Sequence, residues 1–270
     1  MVSGIGNNQI YTYNGEVYRR PSYADAEMGF WAASIAAGAL KALLPSFSNP
    51  FLKQIKKEHG NNYLYKDVFE KAVDMSGLKE KGLKIVNLQF SPAETMLNPS
   101  EISHYDVKAG LNAFFAPSAK QIVLNQNKAS ISGFHELGHA MNNMSGKLGK
   151  VLQKMRGPGY WVAGLMGIVA LLGRTKPKGA KRNAWDWIQD NCHWIAAVGM
   201  LPTVAEEALA SYKGVKAAKA AGLADNLVKN LKKFYGKALL SYAGYAAVTG
   251  LSVYAVSKIT EMFTRPRKIN

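Results

Sequence analysis

The sequence predicts an α+β chain that is mainly α-helical, with a small β-sheet and an edge hairpin beside apolar, membrane-associated helices. Three observations lead there. Residues 51–59 and 65–76 repeat apolar side chains at helical spacing, with Gly77 and Gly82 punctuating their ends. Residues 82–90, GLKIVNLQF, alternate as a short strand does, and LNAFFAP (111–117) turns through Ser118, Ala119 and Lys120 into QIVLN (121–125), the pattern of a hairpin. Four long apolar runs, uncharged but for Lys41 in the first, supply the apolar helices.

The uncharged runs divide the chain. Residues 1–27 form a polar N-terminal segment without the features of a cleavable signal peptide, so the run that follows, 28–50, is expected to be an apolar anchor helix. Residues 157–173 and 191–205, of 17 and 15 residues, form an expected apolar helical hairpin (157–205). The run 238–257 is 20 residues long and bounded by Lys237 and Lys258, which is the length a helix needs to cross the hydrocarbon core. It follows a basic helix beginning near 215. Tyr160 and Trp161 lie at one end of the second run, as interfacial aromatics do.

Composition narrows the function classes. With 48% hydrophobic residues over 270 positions the chain can bury a core, which excludes a disordered chain. The net charge of +16 raises the question of a nucleic-acid partner, but the basic residues flank the apolar runs. That distribution predicts contact with an anionic lipid membrane and no nucleic acid. A single cysteine, Cys192, excludes a disulfide framework and a Cys-rich zinc module, so any metal must be held by His and carboxylates. The oligomeric state is not encoded in any feature of this kind.

The chemistry sits directly after the hairpin. His135-Glu136-Leu137-Gly138-His139 is an H-E-x-x-H, and on a helix the two histidines, four residues apart, share one face and can bind one zinc ion. Glu136 then lies beside the ion, where a carboxylate can take a proton from a metal-activated water. An H-x-x-G-x-x-H extension is absent, which excludes the metzincin pattern. A hydrolytic zinc needs a third protein ligand, and Glu206 and Glu207 on the next predicted helix are the carboxylates available for it.

Taken in order, the helices, the strand, Asn112-Ala113-Phe114 opening an edge hairpin, HELGH, the apolar hairpin and a Glu-x-x-Ala resemble the membrane-associated gluzincin metallopeptidases of the Ste24, HtpX and OMA1 type. The resemblance spans roughly residues 51–214 and implies a zincin-type metallopeptidase core over that range, interrupted by the apolar hairpin. It implies one Zn2+ per chain, with His135, His139 and Glu207 as ligands, since Glu207-Ala208-Leu209-Ala210 fits Glu-x-x-Ala and Glu206 falls out of register. It implies Glu136 as the catalytic base, and Asn112, Ala113, Phe114 and Phe115 as the edge against which a polypeptide substrate lies as an added strand. The family usually places an Asp after Glu-x-x-Ala; here Ser211 stands there. No later His or Arg suggests itself for the oxyanion, and Tyr212 is the one side chain considered for it.

The expected function is therefore an integral-membrane zinc endopeptidase in membrane-protein quality control or processing. The alternative is a membrane-anchored binding or scaffold protein whose zinc site is structural or silent. If all four runs span, the zinc motif and the lysines of 213–237 share a side, and the basic loop 174–182 lies on the other with both termini. The excess of flanking cations on the zinc side predicts a multi-pass protein with that side in the cytoplasm. A re-entrant 157–205 hairpin that never crosses is the competing topology.

Overall fold

The computed structural model describes residues 10–269. In chain order the elements are β1 (Ile10–Tyr13), β2 (Glu16–Arg19), α1 (Tyr23–Lys41), α2 (Leu44–Glu58), α3 (Tyr63–Met75), β3 (Lys84–Asn87), α4 (Tyr105–Lys108), β4 (Phe114–Ala116), β5 (Gln121–Leu124), α5 (Gln126–Ser145), α6 (Lys147–Leu171), α7 (Ala184–Gly199), α8 (Leu201–Ala220), α9 (Asp225–Thr264) and β6 (Arg267–Lys268). Helix accounts for 70% and strand for 8%, so the chain is mainly helical with small sheets, as the sequence predicts. Its described residues divide into two compact units, one made of residues 10–44, 158–201 and 245–269, the other of 45–157 and 202–244.

The second unit carries the chemistry. Its sheet has the order β3-β5-β4, with β5 parallel to β3 and antiparallel to β4, so β4 is an open edge. Tyr65 and Phe69 of α3, Ile122 and Leu124 of β5, Phe134 and Leu137 of α5, and Leu231 and Phe234 of α9 close one apolar core. Phe69 meets Phe134 edge to face at 5.5 Å. Burial of such side chains stabilises each by roughly 1.5–3 kcal/mol relative to exposure. Asn125 caps α5 by accepting from the Asn127 amide.

Helices α5 and α8 approach until their backbones touch. A Cβ at Gly138 would overlap the Ala210 carbonyl, and one at Gly214 would overlap the Phe134 carbonyl. Small residues at both crossing points are the condition for that approach, and it sets the side chains of the two helices face to face.

The first unit is built the other way round from a soluble core. Its interior is filled by small or β-branched residues, among them Ala33, Ala163, Ala170, Cys192, Ala196, Ala246, Val253 and Val256. Large apolar side chains such as Trp31, Trp161, Leu165, Ile168, Trp194 and Leu251 face outward. Backbones again come close, at Gly159 against Gly199 and at Gly250 against the His193 carbonyl. Two helical stretches, Tyr23–Asn61 and Asp225–Thr264, are long and apolar enough to cross a membrane, with 6% and 33% of their apolar windows buried.

Four boundary expectations are corrected. The 28–50 anchor is not one helix: α1 begins earlier, under a capping box of Ser22 and Asp25, and stops at Lys41. Pro45 explains the stop, because its ring collides with the carbonyl four residues back, which is that of Lys41. Pro202 does the same to the run 191–205, which falls partly in α7 and partly in α8. The boundary between the basic and apolar segments after 215 is not a helix boundary: the break falls between α8, which ends at Ala220, and α9, which then runs unbroken for 40 residues. The polar segment 1–27 contains the β1–β2 hairpin, turned by Asn14 and Gly15, both at positive φ as a two-residue turn of this kind requires.

The crossing of α5 and α8 yields a prediction. Gly138→Ala and Gly214→Ala should each destabilise the protein by about 1–3 kcal/mol, since the added methyl meets backbone and not a yielding side chain. Gly236→Ala, on an exposed and open part of α9, should be neutral or stabilising by up to about 1 kcal/mol. Thermal unfolding of the three variants checks this; equal effects at all three positions would refute it.

Candidate metal centre

Helix α5 sets His135 and His139 one turn apart, and α8 sets Glu206 and Glu207 against them. The Nε2 atoms of the two histidines are 3.0 Å apart. Glu207 Oε2 lies 3.0 Å from His135 Nε2 and 3.4 Å from His139 Nε2. A tetrahedral ion with bonds of about 2.0–2.1 Å has ligand–ligand edges of roughly 3.3–3.4 Å, so this triangle fits a zinc-sized ion with little adjustment. Glu136 belongs to the same cluster: an oxygen of its carboxylate and one nitrogen from each of His135 and His139 all lie within 4.8 Å of one another.

The outer nitrogens have partners of their own. His139 Nδ1 is 2.9 Å from Glu206 Oε1, and His135 Nδ1 is 3.1 Å from Ser211 Oγ. With Nδ1–H directed outward, each imidazole keeps its Nε2 lone pair for the centre. Ser211 thus stands behind His135, where the resemblance leads one to expect an Asp, and Glu206 supplies the carboxylate support to the other histidine.

Glu206 is held on all sides. Its Oε1 accepts from Asn142 at 2.9 Å and from Gln153 at 3.0 Å, and its Oε2 accepts from Arg156 Nη1 at 2.9 Å. The other branch of the same guanidinium, Nη2, lies 2.9 Å from Glu207 Oε1. Arg156 therefore clamps two adjacent buried carboxylates and leaves the second oxygen of Glu207 directed at the histidines.

The charges also fit a cation. Glu136, Glu206 and Glu207 are all buried, and Arg156, with Lys213 farther off, offsets only part of their charge. Burial pushes the Glu136 carboxyl above the usual carboxylate range, against the pull of both histidines. Burial acts on Glu207 in the same sense, but its hydrogen bonds to His135 and His139 overcome this and hold it well below that range. Burial would lower His139, yet its hydrogen bonds to Glu206 and Glu207 raise it to about 10. Without a cation the cluster takes up protons in its place.

A cavity of about 100 Å³ opens beside Glu136 and His135. Phe51, Ile55, Phe234 and Ala238 give it apolar walls, and Tyr242 closes one side. Asn112 and Ala113 line it; Phe114 and Phe115 do not, and they begin the strand proper. The Asn112 side chain accepts from the Ala113 amide at 2.9 Å. The Phe115 backbone N–H faces the Glu136 carboxylate. Since neighbouring residues of a strand alternate in direction, the amides of Phe114 and Ala116 face β5, and Phe115 is the residue whose backbone meets the site.

All three ligand candidates and Glu136 are brought together, and of the four edge residues Asn112 and Ala113 line the cavity while Phe114 and Phe115 do not. Tyr212 is not part of the site, being 65% exposed. Sequence reasoning missed Arg156, Asn142, Gln153 and Tyr242. None carries a local signal, although Arg156 and Tyr242 each lie at the edge of an apolar run, where a functional polar side chain stands out.

The protonation state of the metal-free cluster is open to measurement. A His139 held at about 10 when folded and at 6.5 when unfolded stabilises the metal-free protein fully below pH 6.5, and this contribution fades as pH rises through about 10. Chelator-treated protein should therefore lose melting temperature between pH 7 and 10 more steeply than zinc-loaded protein, while zinc affinity rises over the same window as the proton is displaced. Parallel slopes for the two forms would refute this. Ser211→Ala should weaken zinc binding by roughly 10- to 100-fold, the usual cost of a lost outer partner.

Compared with protein-family models, with curated proteins and with solved structures, the chain matches none.

Proposed function

We propose that the chain is a zinc-dependent endopeptidase of the gluzincin type, with its zincin core in the unit 45–157 and 202–244 and its apolar unit in the membrane. The observation that carries the reading is the triangle of His135 Nε2, His139 Nε2 and Glu207 Oε2 with Glu136 beside it. Its donor set, two imidazoles and a carboxylate, is the one hydrolytic zinc uses when a fourth position is left open for water.

A bound zinc ion supplies a polarised scissile carbonyl and a water whose pKa is lowered to about 7. The chain's own groups do the rest. Glu136 takes the proton of the attacking water and returns it to the leaving amine; burial raises its proton affinity, which is the direction a base working near neutrality needs. Tyr242 is the hydroxyl for the charge that develops on the carbonyl oxygen, because it lines the cavity next to Glu136 while the other phenol there, Tyr235, donates to the Ile131 carbonyl at 2.8 Å. Substrate lies along 112–116 in extended form, with the Phe115 carbonyl as a pairing partner.

The inverted packing of the first unit, with small residues inside and large apolar ones outside, supports several spans, because helices in lipid pack through small residues. The flanking cations favour a cytoplasmic zinc site.

In hydrolysis assays on an extended peptide or an unfolded membrane protein, Glu136→Gln should lower kcat by about 10²–10⁴ while zinc stays bound. Tyr242→Phe should lower kcat by roughly 10²–10³ with KM little changed. Glu207→Ala should lose the metal, and Glu206→Ala should weaken it without removing it. A Glu136→Gln variant with wild-type turnover would end the endopeptidase reading even if zinc is present.

A further inference from the structure

A second cavity, of about 470 Å³, lies wholly within the first unit. It is walled by the 174–182 loop between α6 and α7, by the first turns of α7 and by the end of α9. Six cations line it: Arg174, Lys176, Lys178, Arg182, Lys258 and Arg265. Three carboxylates, Asp186, Asp190 and Glu261, stand against them.

Two of the carboxylates are shared. Asp190 takes Arg174 at 2.9 Å and Arg182 at 3.1 Å, and Glu261 takes Lys258 at 3.2 Å and Arg265 at 2.7 Å. Asp186 takes Lys176 at 2.6 Å. A surplus of three positive charges is therefore gathered around one hollow of ligand size. Arg174 is only 8% exposed, and its Nε is buried with no hydrogen-bond partner among the described residues; the same holds for the Nε of Arg265. A buried guanidinium edge with an unused donor is costly unless an acceptor completes it.

The chemistry that completes it is a tetrahedral oxyanion, which takes paired donors from a guanidinium fork and is shared by several cations at once. The cavity also lies at the ends of three apolar helices, after Leu171, before Ala184 and near Thr264, with exposed Trp185 and Trp187 beside it. Aromatic side chains with cations in this arrangement mark the level of lipid headgroups. We propose that this cavity binds a phosphate group, presented by an anionic lipid headgroup or as the free ion.

Full-length protein in a neutral maltoside detergent tests this with three probes: a short-chain phosphatidic acid, inorganic phosphate, and oleate as an amphiphile of like charge without phosphate. Phosphatidic acid should bind and raise the melting temperature, and the double variant Lys178→Gln/Lys258→Gln should weaken it by about tenfold for each charge-assisted bond lost. These two lysines are chosen because both are exposed and their loss spares the buried Arg174–Asp190 pair. The change of equal charge in the other unit, Lys219→Gln/Lys229→Gln, should leave binding within twofold. Saturation by inorganic phosphate alone assigns the free ion, and binding of phosphatidic acid alone assigns the lipid. Oleate binding as tightly as phosphatidic acid, equal losses in the two double variants, or no response to either phosphate probe would overturn the proposal.

Discussion

Two helix backbones in contact decide where the site's atoms lie. Gly138 and Gly214 admit the carbonyls of the facing helix, so the backbones of α5 and α8 meet at those two points. A contact between backbones is stiff, because nothing in it can change rotamer. Three ligand atoms must be held to within a fraction of an ångström to share an ion, and side chains one bond or two from such a contact are placed that finely. The apolar core of Phe69, Phe134 and Leu137 presses on the same crossing from behind.

The adjacent pair Glu206 and Glu207 shows how one helix serves both layers of a site. Successive residues on a helix point about 100° apart, so Glu207 faces inward between the histidines while Glu206 turns to the back of His139. Burying two neighbouring carboxylates would be prohibitive alone. Arg156 makes it tolerable by bridging them with both branches of one guanidinium, and a lysine could not reproduce that geometry.

The parts of the molecule legible in the sequence are those encoded over short spans. His135, Glu136 and His139 needed only the helical period, and β4 and β5 needed only alternation and a turn. The register that selects Glu207 over Glu206 came from the resemblance and its Glu-x-x-Ala, since the residues alone left the pair open. Arg156, Asn142 and Gln153 were illegible because their roles depend on a residue about 50 to 64 positions away. The breaks at Pro45 and Pro202 were legible in principle, but the absence of charge dominated the reading of those runs, and a proline does not alter that signal. The same applies to Asn14-Gly15, a turn signal hidden in a segment that looked merely polar.

Helix α5 is not a single helix in its hydrogen bonding. Ala129 departs from helical geometry, with φ −130° and ψ 21°, and the Ser130 amide donates to Asn62 Oδ1 at 2.9 Å, whose Nδ2 in turn donates to the Gln126 carbonyl at 2.7 Å. The stretch that carries the two histidines thus starts at Ser130, under a cap lent by a residue 68 positions earlier in the chain. That cap exists only after α3 has docked. The metal centre is consequently a property of the tertiary structure: α5 alone leaves the first amide of its histidine-bearing stretch without this acceptor, and the distant start of the domain must be docked to supply it.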